Sequence, residues 1–221
     1  MERLEDLNVS NLKIYQDNNL YCFTSDAVIL SRFAKVKHND VVADFCSGSG
    51  IVGFHLYGLN ADKIKRVTLF ELQKPLYELS VKSINLNNLT DKFTAINADV
   101  TNIGNEFCGK FSLIVCNPPY TKPLCGAVDD NPEIAVCKSE IKLTLKKLIQ
   151  SVSYALKFGG RVCMVHRADR IAEVIATLTS FGLEPKKLQL VSAKNKEPYL
   201  FLIEAVKGGK PGVKVLNTLI N

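Results

Sequence analysis

The sequence predicts an α/β fold: a doubly wound, mostly parallel, seven-stranded sheet with an antiparallel hairpin at one edge. Three observations predict it. Short apolar runs alternate with amphipathic stretches of helical period along most of the chain. The run Phe111–Cys116 is continuously apolar, as in a strand buried on both faces, and it stops at Asn117-Pro-Pro-Tyr120. The last two apolar runs are joined by only Ala193–Pro198, too short for a crossover, so they must pair antiparallel.

Taken in order, residues 1–20 are polar and Asn-rich, with a short alternation at Leu12-Lys-Ile14, and read as a loosely packed extension. Ser25 or Asp26 caps a helix over Ala27–Ala34. Residues 1–35 are expected to cover the ligand site of one domain spanning 1–221. Val41–Phe45 is the first strand, followed by a Gly-rich loop and a helix over Ile51–Leu59. Arg66–Glu71 is the second strand. Pro75 sits in the first turn of the next helix, which runs to about Asn88. Phe93–Ile96 and Phe111–Cys116 are the third and fourth strands. Residues 121–138 read as a long irregular loop, and a helix runs from Ser139 to Leu156, ended by Phe158-Gly-Gly160. Arg161–Val165 is the fifth strand, Asp169–Phe181 a helix stopped by Gly182, and Lys187–Ser192 with Tyr199–Val206 the hairpin. Lys207–Gly212 reads as a flexible basic tail.

The 221 residues are enough for one α/β domain. Apolar content of 47% with 23% charged residues is ordinary for a soluble globular chain, and no apolar stretch approaches a membrane span. The acidic, mixed start is unlike a signal peptide. Seven cysteines without a Cys-x-x-Cys pair, mostly inside apolar runs, point to reduced thiols in a cytoplasmic protein rather than to disulfides or a metal site. The net charge of +6 suits an anionic partner such as nucleic acid. A monomer is expected.

Two stretches carry chemistry. Asp44-Phe-Cys-Ser-Gly48-Ser-Gly50 follows a strand and opens a helix, where glycines admit a ligand close to the backbone and unpaired N–H groups face it. Gly48-Ser-Gly50-Ile-Val-Gly53 also fits a dinucleotide fingerprint, with Glu71 at the distance expected for a ribose contact. A nicotinamide cofactor is therefore one reading. Against it, Asp44, Glu71 and Asp99 all end strands facing one crevice, which repels a pyrophosphate and suits a cationic nucleoside such as S-adenosylmethionine. The plainer alternative for Asp99 is a helix cap.

The second stretch is Asn117-Pro-Pro-Tyr120. The prolines forbid further strand or helix and leave backbone carbonyls as acceptors. Asn117 adds a carbonyl acceptor, and Tyr120 a flat face for stacking. Acceptors beside an aromatic plate suit an exocyclic amine on a planar base; the alternative is a stiff turn whose Tyr plugs the core. His166 follows the fifth strand on the same side, and Arg167, Lys194 and Lys196 are candidates for phosphate contacts.

Together these residues resemble the class I S-adenosylmethionine-dependent methyltransferases that methylate amino groups. Asp44–Gly50 matches their D-x-x-x-G-x-G signature, with Cys46 where Gly or Ala is commoner. Asn117–Tyr120 matches the (N/D)-P-P-(Y/F) motif of adenine-N6, cytosine-N4 and glutamine-N5 methyltransferases. The finer resemblance is to the bacterial tRNA1(Val) adenine-N6 methyltransferase group, through Thr24-Ser-Asp-Ala-Val-Ile-Leu30, Val165-His-Arg167, Phe181-Gly-Leu-Glu-Pro185 and Lys207-Gly-Gly-Lys210. That resemblance implies S-adenosylmethionine held by Ser25, Asp44, Ser47, Gly48, Gly50, Glu71, Leu72, Asp99, Val100 and Asn117. It implies catalysis by Asn117, Pro118, Pro119 and Tyr120, and a tRNA substrate touched by His166, Arg167, Lys194 and Lys196. A glutamine-N5 or DNA-adenine methyltransferase, and a non-catalytic cofactor-binding scaffold, stay open on these residues.

Overall fold

The computed structural model describes residues 1–120 and 143–221. The strands are β1 (Glu2–Asp6), β2 (Lys13–Asp17), β3 (Asp40–Phe45), β4 (Ile64–Glu71), β5 (Phe93–Asn97), β6 (Phe111–Cys116), β7 (Leu156–Arg167), β8 (Leu183–Ser192), β9 (Leu200–Lys207) and β10 (Lys214–Ile220). The helices are α1 (Ser25–Phe33), α2 (Ile51–Asn60), α3 (Lys74–Leu86), α4 (Leu145–Ala155) and α5 (Ile171–Ser180). Eight strands form the main sheet in the order β10-β8-β9-β7-β6-β3-β4-β5, and only β9 runs against its neighbours. The sheet is the expected doubly wound one with one strand more than the sequence predicted.

Alternation along the central strands feeds two cores. Val42, Leu69, Leu113 and Val115 face α1, α2 and α3; Ala43, Phe70, Ile114 and Cys116 face α4 and α5. Both faces are covered, which is why these strands read as unbroken apolar runs. The chain leaves β3 toward β4 and β5, then returns to place β6 on the other side of β3. That reversal opens a crevice at the carboxyl ends of β3 and β6, the switch point where open α/β sheets bind ligands.

Four local expectations are corrected. Residues 1–20 are not a loose extension: β1 and β2 form an antiparallel hairpin against α3, with Leu7, Leu12 and Ile14 buried. Thr24, not Ser25 or Asp26, occupies the N-cap of α1, and it makes no side-chain cap bond. Phe158-Gly-Gly160 does not end a helix. It forms a bulge within β7, where the pairing steps from Phe111–Leu156 to Leu113–Arg161 and Gly159 takes φ +73°. The tail after Lys207 turns at Gly208 and returns as β10, parallel to β8, so the hairpin does not form the sheet edge. The expected loop 121–138 and the start of the helix at Ser139 lie outside the described residues. Among the described residues no helix is long and apolar enough to cross a membrane.

A polar seam crosses the amino ends of β3, β6 and β7. Asp40 accepts from Arg161 Nη2 at 2.6 Å and from Ser112 Oγ at 2.7 Å, both in the interior, and from the Lys37 N–H at 2.6 Å nearer the surface. Removing one partner of a buried pair strands the other charge, at a cost of about 3–5 kcal/mol. Arg161→Ala is therefore expected to lower unfolding free energy by about that amount in urea titrations. The pair replacement Arg161→Met with Asp40→Leu should recover most of the loss.

Candidate active site

The loop after β3 is shaped by backbone that L-residues resist. Cys46 and Gly48 take φ +60° and +57°, and Gly50, at the N-cap of α2, takes φ +92°. Cys46 holds a left-handed conformation at which a side chain is strained, a physical reason for glycine at such a position. A Cβ on Gly50 would meet the Phe54 ring at 2.8 Å. Bonds from Ser47 N to Phe70 O (3.0 Å) and from Gly50 N to Ser47 O (2.8 Å) pin the turn.

Two carboxylates hold the loop from behind. Asp44 is fully buried and accepts the Gly53 N–H at 2.8 Å through Oδ2, while its Oδ1 has no partner. Burial pushes its carboxyl up to about 8, with the neighbouring charge of Glu71 adding to the shift. Glu71 accepts from Gly48 N and Gln73 N, each at 2.8 Å. Burial raises its pKa as well, opposed by those backbone bonds. Asp99 accepts from both the backbone N–H and the hydroxyl of Thr101 at 2.8 Å, so the capping alternative for it is realised. The cap uses Oδ1 alone.

A cavity of about 200 Å³ lies over these strand ends. It is lined by Cys46–Ser49 from the first loop, Glu71–Gln73 after β4, Ala98–Val100 after β5, and Asn117–Tyr120 after β6. Tyr21 and Phe23 close it from the amino-terminal side. Ser47 lines it with a buried hydroxyl that has no hydrogen-bond partner. Tyr120 donates its hydroxyl to Asn117 Oδ1, and Arg170 Nη1 donates to the Tyr120 carbonyl at 3.2 Å. Arg170 is itself buried and forked onto Glu173 at 3.0 and 2.7 Å. The sequence reading missed this brace; its only signal was an Arg-x-x-Glu spacing at the start of a helix.

The structure thus brings Ser47, Gly48, Glu71, Leu72, Asp99, Val100 and Asn117–Tyr120 to one cavity. Other expected residues lie elsewhere. Asp44 sits behind the loop, bonded to α2, and Gly50 turns the chain without lining the cavity. Ser25 is exposed and accepts from Asn221 Nδ2 at 3.1 Å; Tyr21 and Phe23 line the cavity in its place. His166 is fully buried, its ring 5.3 Å from the Tyr120 ring, and its Nδ1 accepts the Arg167 N–H at 2.9 Å. Burial, then Arg170, lowers its pKa to about 4, so it is a neutral support for Tyr120 rather than a group on the cavity wall. Arg167 is paired with Asp169 at 2.8 Å, and Lys194 and Lys196 are exposed on the β8–β9 turn.

The profile of the methyltransferase small domain matches residues 24–182. The chain belongs to that family. The family is S-adenosylmethionine-dependent, which removes the nicotinamide reading. A tRNA1(Val) (adenine(37)-N6)-methyltransferase of a Flavobacteriaceae bacterium (strain 3519-10) is 22% identical over 197 residues, covering 83% of this chain and 81% of its own. A release factor glutamine methyltransferase of Clostridium botulinum is 27% identical over 158 residues, covering 68% and 55%. Among solved structures, a predicted O-methyltransferase from Agrobacterium tumefaciens superposes with a TM-score of 0.69 at 20% identity, covering 88% of this chain and 86% of that one. TYW2 of M. jannaschii, in complex with AdoMet, gives 0.64 at 14% identity, covering 92% and 84%. These two likenesses show the fold.

Asp44 yields a pH prediction. Its folded pKa of about 8 lies above an unfolded value of about 3.9. Between those values the unfolded chain gives up a proton that the folded chain keeps, so Asp44 costs stability increasingly as pH rises through that window. Asp44→Asn keeps an acceptor for Gly53 without the charge. Urea unfolding is expected to show this variant gaining on the wild type from pH 5 to pH 8; a constant difference would count against the shift.

Proposed function

We propose that this protein moves a methyl group from S-adenosylmethionine to the N6 amine of an adenine in tRNA, in the cytoplasm. The observation that carries this reading is one cavity lined by Asn117–Tyr120 on one side and by Glu71 and Asp99 on the other. The tRNA adenine-N6 methyltransferase named above, similar over most of both chains, supports the substrate.

The residues fit the donor. Glu71 offers carboxylate oxygens to ribose hydroxyls, and Asp99 Oδ2 is left to accept from an amino group while Oδ1 stays with Thr101. The unpartnered Ser47 hydroxyl suits the carboxylate of an amino acid. When bound, the donor supplies an electrophilic methyl on a sulfonium. Leu72, Val100, Tyr21 and Phe23 add apolar walls that exclude water.

An adenine amine is a poor nucleophile because its lone pair is delocalised into the ring. Acceptors on its protons favour the pyramidal nitrogen of the transition state. Asn117 Oδ1 and the Pro118 carbonyl are those acceptors, Pro119 stiffens the loop, and the Tyr120 ring stacks on the base. No strong general base is required, in keeping with the buried, neutral His166. Arg167, Lys194 and Lys196 contribute positive charge for the RNA backbone.

Single-turnover methylation of unmodified tRNA tests this. Asn117→Ala is expected to slow transfer about 10²–10³-fold with S-adenosylhomocysteine affinity nearly unchanged. Glu71→Ala should do the reverse, weakening that affinity about 10–100-fold by loss of charge-assisted bonds. Affinity for tRNA should fall steeply with salt. Methylation of a release factor glutamine in place of tRNA, or wild-type transfer by Asn117→Ala, would overturn the assignment.

A further inference from the structure

Tyr120 lines two cavities. Besides the one above, it borders a second of about 380 Å³, enclosed with Asp26, Arg167, Ala168, Asp169, Pro198, Tyr199 and Leu200. This space lies at the carboxyl end of β7 and the start of β9, next to the reacting loop. Its walls are flat. Tyr199 is 42% exposed, and it is held at both ends. The backbone of Tyr199 bonds Val191 and Ala168, and its hydroxyl accepts from Asn221 Nδ2 at 2.8 Å. Asp169 grips Arg167 through Nε at 3.2 Å and Nη2 at 2.8 Å, which orients the guanidinium plane. Asp26 and Asp169 bring carboxylate acceptors to the same space. Aromatic and guanidinium planes with acceptors at the edge are what an unstacked nucleobase bearing an amine requires. The turn carrying the exposed Lys194 and Lys196 runs through Glu197 into Pro198 on the cavity wall, which brings two cations within a few residues of it.

We infer that this second cavity holds the nucleobase adjoining the methylated adenine in single-stranded RNA, stacked on Tyr199 and Arg167. The inference rests on the adenine reading above and adds to it a neighbouring-base subsite that sets sequence preference. Tyr120 is then the partition between the two bases, its ring shared by both.

The test uses the full chain with an RNA stem-loop carrying the target adenine, and copies in which either neighbouring nucleotide is abasic. On intact RNA, Tyr199→Ala is expected to raise KM about 5–100-fold, with kcat and S-adenosylhomocysteine affinity close to wild type. Tyr199→Phe keeps the ring and should restore KM. On the RNA lacking the relevant neighbour, wild type and Tyr199→Ala should become equal. An unchanged KM for Tyr199→Ala on intact RNA, or the same loss on every abasic RNA, overturns the subsite while leaving adenine methylation standing. Failure of the wild type to methylate any of these RNAs overturns both.

Discussion

The site depends on the register between β3 and its two neighbours. Phe45 lies opposite Phe70 on β4 and Cys116 on β6, so the chain leaves all three strands at one level. The Gly-rich loop, Glu71 and Asn117 are brought together by that single alignment. A slip of one residue would turn every side chain to the other face. It would carry Asp44 away from α2 and set Val42 and Leu113 against the wrong helices. Apolar side chains on both faces forbid the slip, because each strand feeds two different cores. Packing thus fixes the geometry of a site to which it contributes few atoms.

The loop itself is held by acids rather than by apolar contact. Asp44 accepts the Gly53 N–H of α2, and Glu71 accepts the Gly48 N–H of the loop and the Gln73 N–H after β4. Both are desolvated, and the charge of Glu71 adds to the cost of ionising Asp44. A cationic ligand in the cavity relieves that cost, whereas a second anion adds to it. The same two groups that shape the loop therefore bias which ligand it takes. The amino-terminal hairpin completes the frame: Gln16 is buried, bonds Ser49 on the loop, and accepts the Phe23 N–H at 3.3 Å. Loop and cavity wall are tied through one side chain.

The central elements were legible because their chemistry is local. An unbroken apolar run, a Gly-rich turn and two prolines each impose a backbone conformation without help from distant residues. The hairpin was illegible for the opposite reason. Glu2–Asp6 is largely polar and exposed, and its partner strand buries Ile14 and Gln16 only through tertiary contacts with α3 and the Gly-rich loop. β10 exists by pairing with β8, and its own residues are largely exposed. Among site residues, type and order predicted the cavity lining well around Glu71, Asp99 and Asn117. They did not predict depth. Asp44 and His166 sit where a ligand contact was expected along the chain, yet both point into the interior, and only the packing of α2 and of Tyr120 decides that.

The hydrogen bond from Tyr120 to Asn117 bears on how the loop acts. Burial, then the charge of Asp26, holds the Tyr120 phenol well above its ordinary pKa, so it remains a donor. A carboxamide oxygen has two lone pairs, and the phenol occupies one. The other stays available to an amine proton, so substrate need not displace the tyrosine. With the phenol proton on Oδ1 the carboxamide is held by its oxygen; a flipped amide would instead donate its NH₂ to the phenol oxygen. A flipped amide would present a donor to the incoming amine and oppose transfer. Tyr120 is braced in turn from two sides, by the buried ring of His166 and by Arg170 on its carbonyl. The loop that carries the acceptor is thus braced before any substrate arrives, which lowers the cost of positioning it.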